Sequence, residues 1–189
     1  MALRRLRCAI EQIVDWHPNL FVEAHVAAFV AVAGRYSDSP ARLDVACAQI
    51  DSPRLGQRAA LRLEVAWHND TAEKAARLKA TMQSGPLVEL AAVALALILV
   101  RRVISLGPVD VTDYGARADY RARKRKAVLE ISGTEVLAEL GRRHRAKVAQ
   151  ALANPFGWDA YVVVCAFSAQ GHRVRFTKQP VREPKHGKG

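Results

Sequence analysis

The residues best suited to chemistry lie between Asp119 and Glu135, where an acid, a basic run and a strand-like segment with a second acid, Glu130, follow one another. Side chains two residues apart on a strand lie on the same face. One face of this strand therefore carries Lys126, Val128, Glu130 and Ser132. The other face is purely apolar and is expected to belong to the core. Because a polar group on an apolar strand costs free energy unless it has a partner, Glu130 needs an explanation.

Glu130 has two explanations. It could be exposed near the end of a strand, or it could pair with one of the many arginines. Alternatively, Asp119 and Glu130 could converge from adjacent strands and bind a hard divalent ion such as magnesium. Such an ion would polarise a phosphate and activate a water. The residues alone leave both explanations open.

The charge of the chain is concentrated in its second half. The net charge is +11, and residues 101–189 hold 18 Lys and Arg against 8 Asp and Glu, whereas residues 1–100 hold 11 against 10. A basic half favours an anionic partner, most often nucleic acid. The candidate contact residues are Arg121, Arg123, Lys124, Arg125, Arg142, Arg143, Arg145 and Lys147. The alternative is a basic composition that serves only solubility.

Cysteine usage and hydropathy predict a cytoplasmic location. Cys8, Cys47 and Cys165 have no metal-ligand spacing and form no disulfide framework, which favours a reducing compartment. No apolar segment typical of a signal peptide follows the N-terminal arginines. The apolar run at residues 87–100 is shorter than the roughly 20 residues that a membrane span needs, and it contains Glu89. A buried helix is therefore expected, and no membrane association.

The first 84 residues are predicted to form helices and one strand pair. Apolar spacing predicts helices over residues 3–16, 20–33 and 72–82. Alternating apolar and polar residues predict strands over 42–50 and 59–68, which we expect to pair in antiparallel fashion with one buried face.

The remainder of the chain is predicted to alternate helices and strands. A central helix over 86–104 is followed by two short strands, a strand over 126–132 and a basic helix over 135–153. The continuously apolar segment 160–167 predicts a strand buried on both faces. Val174 and Phe176 then predict an edge strand.

These elements together predict an α/β fold with a mixed central sheet flanked by helices. Residues 1–84 are expected to form an N-terminal helical and hairpin extension packed on a core of residues 85–177. Residues 178–189, rich in Pro, Lys and Gly, are expected to be a basic, disordered tail.

The element order from residue 85 resembles the core of the PD-(D/E)XK, or restriction-endonuclease-like, superfamily. In that superfamily a Glu in the leading helix, an Asp on one strand and a Glu-X-Lys on the next bind magnesium beside the scissile phosphate. The matching acids here are Glu89, Asp119 and Glu130, and the resemblance covers roughly residues 85–168. The chain also resembles an uncharacterised bacterial family in which a Leu-Glu-(Ile/Val)-Ser-Gly strand follows an Asp.

The resemblance implies magnesium as cofactor, with Glu89, Asp119 and Glu130 as metal ligands. It implies a catalytic group of Asp119, Glu130, Ser132 and Lys126. The superfamily's lysine, however, falls on Ser132, which carries no charge. Lys126 shares the strand face by parity, but four residues of strand, about 13 Å, separate it from Glu130. Either another basic residue reaches the site, or the site does not cleave.

Two functions therefore follow from the sequence. The first is a nucleic-acid-binding protein with a diverged metal-dependent nuclease-like site, in a defence or mobile-element setting, whose enzymatic activity stays open. The alternative is a non-enzymatic basic module that binds nucleic acid or protein. A partner protein or a homodimer fits either function. Asp119 and Glu130 are needed for the first function, and only the arginines for the second.

Overall fold

The computed structural model describes residues 3–52, 55, 59–112 and 118–180, and it confirms the predicted α/β class. The strands are β1 (Arg4–Ala9), β2 (Ala41–Ala48), β3 (Ala60–Ala66), β4 (Asp110–Val111), β5 (Tyr120–Ala122), β6 (Ala127–Thr134), β7 (Asp159–Ala166) and β8 (His172–Gln179). The helices are α1 (Gln12–Trp16), α2 (Glu23–Ala33), α3 (Asn69–Thr81), α4 (Ser84–Arg102) and α5 (Leu140–Leu152). Short 3-10 turns occupy Arg123–Arg125 and Leu137–Glu139.

All eight strands form one mixed sheet in the order β1-β3-β2-β8-β7-β6-β5-β4. Strands β4, β5 and β6 form an antiparallel meander, and α5 then crosses over to β7, which pairs with β6 in parallel. The interior strands β6 and β7 are almost wholly buried, which the continuously apolar sequence predicted for β7.

Helix α4 is the centre of the core. It is apolar nearly all round, and most of its residues between Leu87 and Val100 are buried against α2 and the sheet. By length and composition α4 is the one helix in the described ranges that could cross a membrane, but its packing here is that of a buried core helix. A Cβ added at Gly133 on β6 would lie 2.4 Å from the carbonyl oxygen of Val88. Only glycine therefore permits this approach of helix to strand.

The predicted helix over residues 3–16 is wrong. Residues Arg4–Ala9 form β1, which pairs in parallel with β3, and only the five residues Gln12–Trp16 are helical. Leu6 and Cys8 face the core from β1, so the same apolar residues also satisfy a strand period of two. The partner strand lies more than 50 residues away in sequence, and a local pattern carries no information about it.

The predicted edge strand at Val174 and Phe176 is an interior strand. Strand β8 lies between β2 and β7 and runs to Gln179, so Lys178 and Gln179 belong to the sheet rather than to a tail. Because β2 pairs with β8, the sheet is continuous across the predicted boundary between residues 84 and 85. Residues 181–189 lie outside the described residues.

Candidate active site

Glu130 lies in the middle of β6, on the face that α5 covers. Its side chain is fully buried, with no exposed surface. Glu130 shares its face of the sheet with the buried side chains of Val128 on β6 and Val162, its register partner on β7. A carboxylate in this position requires a charged or hydrogen-bonded partner.

Lys147 of α5 provides that partner and also contacts Asp119. Its Nζ atom donates hydrogen bonds to Oε2 of Glu130 at 2.8 Å and to Oδ2 of Asp119 at 3.3 Å. Asp119 immediately precedes β5, and its Oδ2 accepts the backbone N–H of Ile131 at 2.7 Å. The backbone of β6 therefore fixes Asp119 beside Glu130. We call Asp119, Glu130 and Lys147 the acid–lysine cluster.

Burial dominates the electrostatics of this cluster. Burial, together with the nearby charge of Asp119, raises the pKa of Glu130 to about 7 although Lys147 acts in the opposite direction. Burial lowers the pKa of Lys147, but its hydrogen bond to Glu130 and the two negative charges outweigh that effect and leave the pKa above its usual value. Lys147 is therefore charged, and Glu130 titrates near neutral pH.

One oxygen of Glu130 remains without a partner. Oε1 is buried and has no hydrogen-bond partner in the part of the chain that the structure describes. Buried polar atoms are nearly always hydrogen-bonded, so an unpaired carboxylate oxygen is an acceptor for a proton, a water or a metal ion. This atom distinguishes the cluster from a fully satisfied ion pair.

Glu89 lies in a second cluster at the end of β6. Its Oε2 accepts the backbone N–H of Gly133 at 2.9 Å, and its Oε1 accepts the hydroxyl of Ser132 at 3.2 Å. Arg143 of α5 donates to Glu89 Oε1 at 3.4 Å and to Ser132 Oγ at 3.3 Å. Donors from β6 and α5 thus hydrogen-bond to the carboxylate of Glu89, which links the start of α4 to both elements.

The predicted three-carboxylate metal site is not formed as expected. The structure brings Asp119 and Glu130 together, with Ser132 two residues further along β6, but Glu89 bonds to Ser132, Gly133 and Arg143 instead. Within residues 3–52, 55, 59–112 and 118–180, no group of three His, Cys, Asp or Glu side chains has a metal-binding arrangement. Glu89 therefore lies outside the acid–lysine cluster.

The predicted position of Lys126 on the strand is wrong. Strand β6 begins at Ala127, and Lys126 occupies the turn before it with a φ of 45° and an exposed side chain. The prediction that Lys126 shares the face of Glu130 requires the strand to include Lys126, but the strand begins one residue later, at Ala127. Lys147, which the sequence assigned to nucleic-acid contact, takes the position beside the carboxylates instead.

The remaining predicted nucleic-acid contacts lie on or next to the elements that carry the acid–lysine cluster. Lys124 and Arg125 are exposed in the turn before β6, where the backbone of Arg123 also lies, and Arg121 is half-buried on β5. On α5, Arg145 is exposed, and Arg142 donates its Nε to Glu139 at 2.8 Å. Exposed cations therefore lie on β5–β6 and on α5, the two elements that hold the acids and Lys147.

Comparison with known proteins adds no relative: no family model, curated protein or solved structure matches this chain.

Proposed function

We propose that this chain is a nucleic-acid-binding protein whose acid–lysine cluster is a diverged, metal-dependent nuclease-like site. The observation that carries the proposal is Lys147 Nζ, which lies 2.8 Å from Glu130 and 3.3 Å from Asp119. It places a cation where Ser132 cannot supply one. The order α4, β4, β5, β6, α5, β7, with an acid before β5 and another on β6, supports the same reading.

Magnesium fits the residues of the cluster. Asp119 and Glu130 would hold the ion, because magnesium is commonly bound by one or two carboxylates, with waters and substrate phosphates as further ligands. The buried, unpaired Oε1 of Glu130 is an available ligand atom. When bound, magnesium would supply a Lewis acid for a phosphate oxygen and would lower the pKa of a bound water.

The chain's own residues have distinct roles in this proposal. The charge of Lys147 would stabilise the negative charge that develops on a phosphate during hydrolysis. The backbone N–H of Ile131 fixes the carboxylate of Asp119. The exposed Lys124, Arg125 and Arg145 would attract and orient the phosphate backbone.

A metal titration tests the proposal directly. Magnesium or manganese at about 100 times the dissociation constant should stabilise the parent by about 2.7 kcal/mol, which raises the melting temperature by several degrees. Glu130→Gln should lose most of this shift, since it removes a ligand charge. Glu139→Gln, in the 3-10 turn before α5 and outside the cluster, is the matched control and should shift like the parent. Cleavage of labelled DNA and RNA is measured in the same samples.

The two measurements separate the outcomes. A melting shift with cleavage supports an active nuclease-like site, and a shift without cleavage supports a metal-binding site that has lost catalysis. If magnesium and manganese neither shift the melting temperature of the parent nor support cleavage, the metal site is refuted.

The second candidate function is a non-enzymatic basic interaction module. Lys147 already neutralises part of the charge of Asp119 and Glu130, and donors occupy Glu89, so the cluster could act as a structural ion-pair network. In that case Glu130→Gln should leave nucleic-acid binding unchanged with or without metal. Replacing Arg142, Arg143 and Arg145 by Ala should weaken binding to every sequence similarly.

A cytoplasmic location remains a prediction. Cys8, Cys47 and Cys165 are buried free thiols, as a reducing compartment allows.

A further inference from the structure

A second basic surface lies on the sheet itself, away from the acid–lysine cluster. Helix α5 packs over β6, β7 and the later part of β8, which leaves the outward side chains of β1, β3 and β2, and Arg173 and Arg175 of β8, at the surface. The opposite sides of these strands carry the core leucines and valines beneath α2 and α4. We call the outward side of β1, β3, β2 and β8 the open face.

Arginine is the dominant side chain of the open face. Its charged residues are six arginines and two acids: Arg5, Arg7, Arg42, Arg62, Arg173, Arg175, Asp44 and Glu64. Strand register aligns them in rows that run across the sheet. One row joins Arg5, Arg62, Asp44 and Arg173, and the next joins Arg7, Glu64 and Arg42. Four strands span about 14 Å at the usual spacing between strands.

Each acid of the open face is held between two arginines. Asp44 accepts from Arg62 Nε at 2.9 Å and from Arg173 Nη1 at 2.5 Å. Glu64 accepts from Arg7 Nε at 2.6 Å, and Arg42 Nε lies 3.9 Å from its other oxygen. The acids therefore fix the arginines in place without neutralising the face. The side chains of Arg7 and Arg42 remain 74% and 72% exposed.

The open face is continuous with the basic start of α5. A Cβ built at Gly141 would lie 3.7 Å from Nη1 of Arg145 and 3.9 Å from Nη2 of Arg175, so the two guanidinium groups approach each other over this glycine. Arg145 was predicted to contact nucleic acid, and Arg175 belongs to the open face. The two basic surfaces therefore meet at the N-terminal end of α5.

We propose that the open face is a docking surface for the phosphate backbone of a nucleic acid. This inference rests on the proposed nucleic-acid partner and extends its contact area from α5 across four strands. Fixed, exposed guanidinium groups suit phosphate, which they contact through paired N–H donors. A protein partner would need apolar or aromatic anchors. Between its arginines the open face presents small side chains such as Ala46, Ala48 and Ala60. A depression on this face is lined by Leu3 and Leu140 beside Asp44, Arg173 and Arg175, and no aromatic side chain among the described residues lines it.

Two changes to the open face test the proposal without breaking its ion pairs. In the described part of the chain, Arg5 and Arg175 form no ion pair with a carboxylate. The double variant Arg5→Ala/Arg175→Ala therefore removes two charges, and Asp44 and Glu64 keep their arginine partners. Ala46→Glu adds an acid to the middle of the face, beside Arg175 in the register. Ala80→Glu is the matched control, because Ala80 is exposed on α3, which packs on α2 on the opposite side of the sheet.

Binding of the full chain to a short fluorescein-labelled DNA duplex is measured by anisotropy at several salt concentrations. The slope of log K against log salt should fall in magnitude by about 2 in the double arginine variant, since each lost phosphate contact removes about 0.9. Ala46→Glu should weaken binding roughly tenfold at low salt, whereas Ala80→Glu should change it less than about twofold. Thermal melting verifies that each variant is folded.

Three results would overturn the docking surface. Ala46→Glu and Ala80→Glu could weaken binding equally, or the double variant could keep the slope of the parent. A poly-glutamate peptide could also bind the parent more tightly than the duplex does and lose that binding in the double arginine variant, which would assign the face to an acidic protein. If replacing Arg142, Arg143 and Arg145 abolishes binding while the open-face variants bind like the parent, the docking surface fails and the proposed function stands. A parent that binds no duplex at low salt contradicts both.

Discussion

Replacing Lys147 by Met is the most informative single change. Met keeps much of the apolar length of the side chain but removes the charge that lies between Glu130 and Asp119. Glu130 Oε1 has no partner in the described ranges, and Oε2 would lose the hydrogen bond from Lys147. In the variant, neither oxygen of the buried Glu130 carboxylate has a hydrogen-bond donor among the described residues. Asp119 still accepts the backbone N–H of Ile131.

The cost of this change should depend on pH. The pKa of Glu130 in the folded chain is about 7, against an ordinary value of 4.5, so its burial opposes folding increasingly as pH rises between these values. Without Lys147 the pKa rises further, and the loss of stability extends to higher pH. Near pH 5 Glu130 is protonated and the change removes a hydrogen bond worth about 1 kcal/mol. Near pH 8.5 it leaves an uncompensated buried charge, which costs about 3–5 kcal/mol.

Urea unfolding of the parent and Lys147→Met at the two pH values measures the difference. The double variant Lys147→Met/Glu130→Gln should recover at least half of the loss near pH 8.5, because the buried charge is gone. Lys178→Met is the matched control: its ion pair with Asp159 is partly exposed and should contribute less than about 1 kcal/mol at either pH. Two results would contradict an uncompensated charge on Glu130. Lys147→Met could lower the free energy of unfolding equally at both pH values, or the effects of Lys147→Met and Glu130→Gln could simply add in the double variant.

Three further predictions concern the core. Gly133→Ala should lower the free energy of unfolding by about 1–3 kcal/mol, because the new Cβ would lie 2.4 Å from the Val88 carbonyl oxygen; an unchanged urea midpoint would contradict this close approach. Amides of β6 and β7 should be among the slowest to exchange with deuterium, and fast exchange across 160–166 would contradict their central place. Burial raises the pKa of Cys47 to about 11, so iodoacetamide should label it slowly until urea is added; rapid labelling of the native chain would contradict its burial.

The parts of the fold that the sequence predicts are those with local patterns. Helix α4 is continuously apolar, β7 is a short apolar run of branched residues, and β2 and β3 alternate with a period of two. Each pattern reflects burial of the residues themselves. The place of an element within the sheet depends on distant partners. Strand β1 and the interior position of β8 were therefore predicted incorrectly, although the apolar residues of both were recognised.

In the candidate site, too, local sequence patterns predict some residues, whereas contacts between distant elements decide the others. Glu130 was found because a carboxylate on an apolar strand is costly, and Asp119 because it precedes the neighbouring strand. Lys126 was selected by parity along a strand whose first residue could not be fixed from the sequence. Lys147 was seen only as one charge of a basic helix, because nothing in the helix sequence alone shows which of its cations faces the sheet.

The pairing of α5 with β6 nevertheless has a regular geometry. Four residues of helix rise about 6 Å, and two residues of strand advance about 6.6 Å. When helix and strand run antiparallel, contacts between them can therefore repeat every four residues of the helix and every two residues of the strand. Arg143 contacts Ser132, and Lys147, four residues later, contacts Glu130, two residues earlier. The next step brings Ala151 and Val128 into the same apolar cluster.

This register explains how a helix can supply the charge that the strand lacks. A βαβ crossover lays α5 antiparallel over β6, and the face of β6 that carries Glu130 and Ser132 is the face that α5 covers. In this register Lys147 lies opposite Glu130, and Arg143 lies opposite Ser132. The proposed chemistry requires a cation at a point in space rather than at a position in a motif. A search for Glu-X-Lys therefore does not find the proposed site, whereas a search for a basic residue on the crossover helix, opposite the strand carboxylate, selects Lys147.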